Sequence, residues 1–244
     1  MSGESWIGGW HVVLAALESD ERRPSEILLL QGREDARSRR VQELAQEHGV
    51  ALRFAPRSEM DLKTLGLRHQ GVLALMPSAV FSGEDVLDIP ANDDTLVLAL
   101  DGVQDPHNLG ACLRSAEAAG VTAVIVPKDR AAGLTPVARK ASAGASERLP
   151  LLQVTNLSRA LTQLKERGCW ITGLAGEAEE SIYEVDLTGP VVLVLGAEGE
   201  GLRRLTREHC DRLVKIPMAG QAESLNVSVA AGVCLFEAVR QRRS

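Results

Sequence analysis

The second half of the chain alternates short unbroken apolar runs with segments whose apolar residues recur every three to four positions. The runs are Leu96–Leu100, Val121–Val126, Leu149–Val154, Trp170–Leu174, Val191–Leu195 and Leu213–Ile216. Continuous Val, Leu and Ile runs of this length suit strands covered on both faces, as in a parallel sheet between helices. The intervening segments Leu109–Ala119, Leu157–Arg167, Leu202–His209 and Leu225–Arg240 read as helices. In the last, Val227, Ala230, Ala231, Cys234, Leu235 and Ala238 fall at helical spacing. The pattern predicts an α/β fold with a mostly parallel sheet across residues 95–244.

The first 76 residues follow a second, smaller alternation. It predicts helices near His11–Leu17, Arg37–His48 and Met60–Leu65, and strands at Glu26–Leu30, Ala51–Phe54 and Val72–Leu75. A unit of that size lies near the lower limit for independent folding. Residues 77–94 break both patterns. Pro77, Gly83, Pro90 and Asn92 stand there among five acidic residues, which predicts an acidic linker between two domains.

Charge changes the picture by its distribution. The formal net charge of −6 argues against a nucleic-acid partner. The linker, however, carries −5 of it, residues 1–76 carry −1, and residues 95–244 are neutral. Basic clusters remain at Arg33, Arg37, Arg39 and Arg40, at Arg139 and Lys140, at Arg203, Arg204 and Arg207, and at Arg240, Arg242 and Arg243. Each alone reads as a solvated helix face, and RNA binding requires several on one surface. Aromatic residues make up 3%, too few for a base-stacking platform. No apolar stretch reaches the length of a membrane span, and the N-terminus lacks a signal-peptide pattern. Cys112, Cys169, Cys210 and Cys234 form no Cys-x-x-Cys pair and the five histidines are scattered, so no metal site is expected. Isolated thiols fit the reducing cytoplasm.

Three of the apolar runs end in the same way, in a turn bearing Gly, Asn or Ser that opens a helix. They lead into Asp101…Asn108-Leu-Gly110 with Arg114, into Gly196-Ala-Glu-Gly-Glu-Gly201, and into Pro217…Ser224-Leu-Asn-Val-Ser228. Ligands of open α/β sheets bind outside the carboxyl ends of the strands, so three polar turns at three such ends point to one site. Taken singly, each has a plain structural reading. Asn108 is an N-cap, Arg114 a surface partner of Glu117 at i+3, and Ser224 an N-cap of the last helix. Asn226 has no such role in the first turn of a helix. The order G-x-x-G-x-G is not the dinucleotide fingerprint G-x-G-x-x-G, which disfavours a nicotinamide dehydrogenase. Three glycines in six residues call for a close backbone approach.

In order and spacing, the three motifs resemble those of the SpoU-type (TrmH) ribose 2′-O-methyltransferases of the SPOUT class. Gly9-x-His11, Gly32-Arg33 and His69-Gln70-Gly71 extend the likeness to the ribosomal-protein-like substrate-binding domain of the bacterial 23S rRNA guanosine methyltransferases. The resemblance implies S-adenosylmethionine as cofactor, a deep trefoil knot formed by the C-terminal segment, and a homodimer whose active site draws on both subunits. It implies a catalytic set of Asn108, Arg114, Glu198, Ser224 and Asn226, with Gly196, Ile216 and Leu225 at the cofactor. The implied reaction is 2′-O-methylation of a guanosine in the peptidyl-transferase-centre loop of 23S rRNA, free or in a precursor particle. A tRNA ribose methyltransferase shares the three motifs, and a non-catalytic RNA-binding or assembly protein could share the fold. Gln221-Ala-Glu223 departs from the small or hydroxyl residues more usual before Ser224.

Overall fold

The structure is a computed structural model that describes residues 5–19, 23–64, 69–76, 80–81 and 88–243. Its first unit runs β1 (Ser5–Gly8), α1 (Trp10–Glu18), β2 (Glu26–Leu30), α2 (Ala36–Glu47), β3 (Ala51–Ala55), α3 (Arg57–Lys63) and β4 (Val72–Met76). The strands form a sheet of order β1-β4-β2-β3, parallel only between β2 and β3. Strand β2 is buried on both faces. Ile27 and Leu29 meet Leu17 of α1 and Val41 and Leu44 of α2, while Leu28 meets Met60 of α3. Helix α2 starts at Asp35, which caps Ser38 N–H at 2.9 Å and pairs with Arg33 at 2.6 Å. The Ser38 amide and the Arg33 guanidinium hold the Asp35 carboxyl below the usual range.

The N-terminal landmarks converge. The Arg33 guanidinium donates to the Gln70 carbonyl at 2.6 Å and lies 4.8 Å from the centre of the Trp10 ring. Nδ1 of buried His69 accepts the Gly71 N–H at 3.1 Å, so the ring proton sits on Nε2 and faces Asp61 Oδ1 at 2.9 Å.

The second unit comprises β5 (Val80–Phe81), β6 (Leu96–Asp101), α4 (Pro106–Ala118), β7 (Ala123–Pro127), α5 (Pro136–Ala141), α6 (Ala145–Arg148), β8 (Leu151–Val154), α7 (Leu157–Glu166), β9 (Trp170–Leu174), β10 (Glu180–Ser181), β11 (Val191–Gly196), α8 (Arg204–Glu208), β12 (Arg212–Lys215) and α9 (Val227–Arg242). Its eight strands are all parallel, in the order β10-β12-β9-β11-β6-β7-β8-β5. The predicted parallel α/β sheet is therefore present. Alternate residues of β6 serve its two faces. Leu96, Leu98 and Leu100 pack with Leu113 of α4 and Leu235 of α9, and Val97 and Ala99 with Leu161 and Leu164 of α7.

The segment 77–94 differs from a plain linker. Residues 77–79 and 82–87 lie outside the described residues, but Val80–Phe81 pairs in parallel with β8 and Ile89 is buried in the core. A two-residue strand among acids is too short to show as a period. The same holds for β10, and helices α5 and α6 are also too short for a helical repeat. Helix α8 spans only Arg204–Glu208, because the preceding residues close a loop described below.

Helices α5 and α6 join the two units. A Cβ on Gly144, just before α6, would lie 3.2 Å from Ala15 Cβ of α1. On its other side α5 meets α4 so closely that a Cβ on Gly110 would lie 2.4 Å from the Ala138 carbonyl and 2.5 Å from Ala141 Cβ. The glycine in Asn108-Leu-Gly110 is thus a helix-packing residue. Gly110→Ala is expected to lose about 1–3 kcal/mol through overpacking, read as a lower urea midpoint with an unchanged slope.

Candidate active site

Strands β6 and β11 pair over six residues, ending with Asp101 beside Gly196. Beyond Gly196 the chain folds back on itself. The Gly201 amide donates to the Ala197 carbonyl at 2.9 Å, and Gly199 and Gly201 take φ of +81° and +66°. A Cβ on Gly196 would lie 2.0 Å from the Gly201 carbonyl carbon, so the ring closes only on glycine. Buried Asp101 fastens the exit of this loop. Its Oδ2 accepts the Arg203 N–H at 2.9 Å, and Oδ1 lies 3.2 Å from Arg203 Nε.

Against this loop lies a cleft of about 440 Å³. Gly196 and Glu198 line one side, Ile216 lies past the end of β12, and Ser224 and Leu225 come from the segment before α9. Five of the eight residues anticipated for the site therefore share one cavity. A fourth strand end completes it. Leu174, Ala175 and Gly176 follow β9, and Glu177 reaches across to pair with Arg207 of α8. Its own backbone amide and Arg207 hold the Glu177 carboxyl below the ordinary range. The sequence carried a signal for this wall, since the run Trp170–Leu174 ends in Ala-Gly like the other three. Lys215 and Met218 also line the cleft and carried none.

Of the other three anticipated residues, Asn226 adjoins the cleft between Leu225 and Val227, Asn108 is bonded to it, and Arg114 lies further along α4, outside the lining; all three plain structural readings fail. Asn226, not Ser224, caps α9. Its Oδ1 accepts the Ser228 amide at 3.0 Å and the Ser228 hydroxyl at 2.7 Å. Its Nδ2 donates to Asn108 Oδ1 at 3.0 Å, across 118 residues of sequence. Asn108 is not a cap either. Asp105 caps α4 by accepting the His107 amide at 2.8 Å, and Pro106 fills the first helical position, where no amide hydrogen is needed. Asn108 is therefore inside the first turn with its side chain free to meet Asn226. Leu225 and Val227, on either side of Asn226, both line the cleft.

Arg114 is exposed on α4 and, among the described residues, makes no hydrogen bond or ion pair. The expected pairing with Glu117 is absent because Arg148 takes that carboxylate at 2.7 Å. Many other arginines are bound internally. Arg139 is buried against Glu147, Arg204 pairs with Glu208, and Arg240 with Glu237. Arg242 donates to the carbonyls of Asp94 and Thr95 at 3.0 Å each. The thiols offer no nucleophile. Burial pushes Cys112 and Cys234 up to about 12, and burial with nearby Asp211 and Asp101 does the same to Cys210.

A glycine-ringed cleft beside a hydrogen-bonded Asn pair, at the carboxyl ends of a parallel sheet, defines an α/β protein with a site of small-molecule size. Residues 95–236 match the SpoU rRNA methylase family, and residues 6–79 match the RNA 2′-O ribose methyltransferase substrate binding family. The chain belongs to the SpoU rRNA methylase family. It is 55% identical over 246 residues to the 23S rRNA (guanosine-2′-O-)-methyltransferase RlmB of Pseudomonas putida, covering 100% of this chain and 99% of the relative. It is 53% identical over 238 residues to RlmB of Escherichia coli K12, covering 97% and 98%. Its fold is similar to the crystal structure of the SpoU methyltransferase AviRb from Streptomyces viridochromogenes in complex with AdoMet. The TM-score is 0.83 at 26% identity, over 98% of this chain and 90% of that one.

The Asn108–Asn226 bond has a measurable consequence. Asn226→Ala removes both a cap and the bridge and is expected to cost about 1–2 kcal/mol. In the double variant with Asn108→Ala the two losses should fall short of additivity by about 0.5–1.5 kcal/mol. Strict additivity in a urea-denaturation cycle would show that the bridge contributes nothing.

Proposed function

We propose that this chain transfers a methyl group from S-adenosylmethionine to the ribose 2′-hydroxyl of a guanosine in 23S rRNA. The observation that carries the reading is the cofactor-sized cleft adjoining the Asn108–Asn226 pair, with unpartnered Arg114 on the same helix as Asn108, in a chain that matches its RlmB relatives end to end. The substrate-binding unit at residues 6–79 favours this over a tRNA substrate, and the presence of both Asn108 and Arg114 favours it over a non-catalytic role.

The residues present fit the cofactor. A cleft of about 440 Å³ is within the usual range for small ligands. Leu174, Ile216 and Leu225 offer apolar walls for a flat ring, and the 196–201 loop presents backbone groups that only a glycine at 196 allows. When bound, S-adenosylmethionine supplies a methyl group already activated by its sulfonium charge. The chain's task is then mostly alignment of the ribose with that methyl. Glu198, Ser224 and Asn226 position ribose, backbone and loop, with Asn226 held by Asn108. Arg114 keeps its proton, so it acts as a fixed cation that grips the substrate phosphate and stabilises the developing 2′-alkoxide.

The further parts of the reading are a target in the peptidyl-transferase-centre loop, free or in a precursor particle, a C-terminal trefoil knot, a homodimer and a cytoplasmic setting. The family match of residues 95–236 supports the knot. An exposed stripe of Val229 and Phe236 on α9, 52% and 50% exposed, supports a second copy beside the site. Free cysteines at all four positions support a reducing compartment.

With labelled S-adenosylmethionine and total RNA, label should enter 23S rRNA and map to one alkali-resistant linkage at a guanosine. Label in tRNA, or in no RNA, would overturn the reading. Arg114→Lys should lower turnover by about 10²–10³-fold at nearly normal RNA affinity. Full turnover in that variant would remove Arg114 from its role.

A further inference from the structure

Gln221-Ala-Glu223, the step that departs from the family's usual residues, has no part in the reaction as derived. The structure nonetheless puts Glu223 on the lining of the cleft, together with Glu177, Glu198 and Glu200. Two cations share that lining, Arg207 and Lys215. Arg207 is paired with Glu177. Among the described residues, no hydrogen bond or ion pair engages the side chains of Glu198, Glu200 or Glu223. The cleft itself is built by glycine backbone and apolar side chains. Three unpaired carboxylates against one unpaired ammonium then give it a negative potential.

We infer that Glu223, reinforced by Glu200, is a specificity-determining carboxylate that makes the cleft prefer the sulfonium form of the cofactor to the neutral thioether left after transfer. The inference rests on the reading of this cleft as the S-adenosylmethionine site. At neutral pH the amino-acid end of either ligand is a zwitterion and the adenosine is uncharged. The two ligands therefore differ by the methyl group and one positive charge at sulfur. Contacts to base, ribose, carboxylate or ammonium largely cancel when their affinities are compared as a ratio. What remains is chiefly the potential at the sulfur.

The charge balance of the reaction makes that potential useful. The methyl carbon forms a bond to the ribose oxygen, the carbon–sulfur bond breaks, and sulfur keeps its electron pair. The 2′-hydroxyl proton leaves to solvent. The ligand thus loses its positive charge at the moment of transfer, and the carboxylates at 200 and 223 lose the charge they were holding. Product is then bound less tightly than the incoming cofactor, which favours exchange. Because the three carboxylates are exposed, the interaction runs through a water-like dielectric. A carboxylate about 10 Å from the sulfur then changes the ratio of affinities by about twofold. Added salt, with a screening length of about 10 Å at 0.1 M, shrinks that effect.

Calorimetric titration of the full chain with S-adenosylmethionine and with S-adenosylhomocysteine, at low and high ionic strength, tests this directly. The wild type should bind the sulfonium more tightly. Glu223→Gln should lower the affinity ratio by about twofold and Glu200→Gln with Glu223→Gln by about fourfold at low salt. Glu223→Asp should keep it, and high salt should bring the variants together. Both ligands binding with the same ratio in wild type and double variant would overturn this inference and leave the cofactor reading standing. A wild type that binds neither ligand would overturn the cofactor reading and this inference with it.

Discussion

The parallel pairing of β6 with β11 is the constraint from which the site follows. It sets Asp101 beside Gly196, so that two turns separated by most of the domain leave the sheet side by side. Asp101 then captures Arg203 on the far side of the glycine loop. An acid buried at a strand end needs a charged or hydrogen-bonding partner, and the Arg203 backbone amide and guanidinium supply both. The loop is thereby closed between two fixed points, Gly196 at the strand and Arg203 before α8. Within it, positive φ at Gly199 and Gly201 turns the chain back until no Cβ fits at Gly196. One wall of the cleft is in this sense the consequence of a register and an ion pair.

The opposite wall is made by the chain's return. Segment 216–226 runs from the end of β12 to the start of α9, and Asn226 ends it by capping that helix while bonding to Asn108. One side chain thus settles the direction of α9 and ties it to the first turn of α4. Helix α4 is held from behind by α5, against which Gly110 permits direct backbone contact. Since α6 also meets α1 across Gly144, the N-terminal unit reaches α4 through two short helices.

The electrostatics of a net-negative RNA partner become intelligible in the same terms. Most of the arginine clusters that stand out along the chain are engaged within the fold, on Asp101, Glu177, Glu208, Glu237 and backbone carbonyls. Arg114 is left free on α4 because Glu117, its neighbour one turn away, is taken by Arg148. The lining of the cleft carries the opposite sign, with Glu198, Glu200 and Glu223 unpaired among the described residues.

The sheet was legible because six apolar runs separated by amphipathic segments read as buried strands between helices, and six of the eight observed strands fall on those runs. The site was legible as three strand-end turns, since glycine triplets and an Asn beyond a strand have few other uses. What stayed hidden was decided by contacts with no local trace. Asn108 and Ser224 look like caps in sequence, yet Asp105 and Asn226 do that work, because which side chain caps depends on where the helix axis lies. Val80–Phe81 becomes a strand only because β8 offers a free edge. Asp101 and Glu177 carry no motif of their own, and their roles exist only once Arg203 and Arg207 arrive from elsewhere. The sequence by itself determined the α/β class and the turn chemistry at the strand ends. The tertiary structure alone decided which of them share a cavity, because strand register and the Asn226–Asn108 bond act across about a hundred residues that no local period can encode.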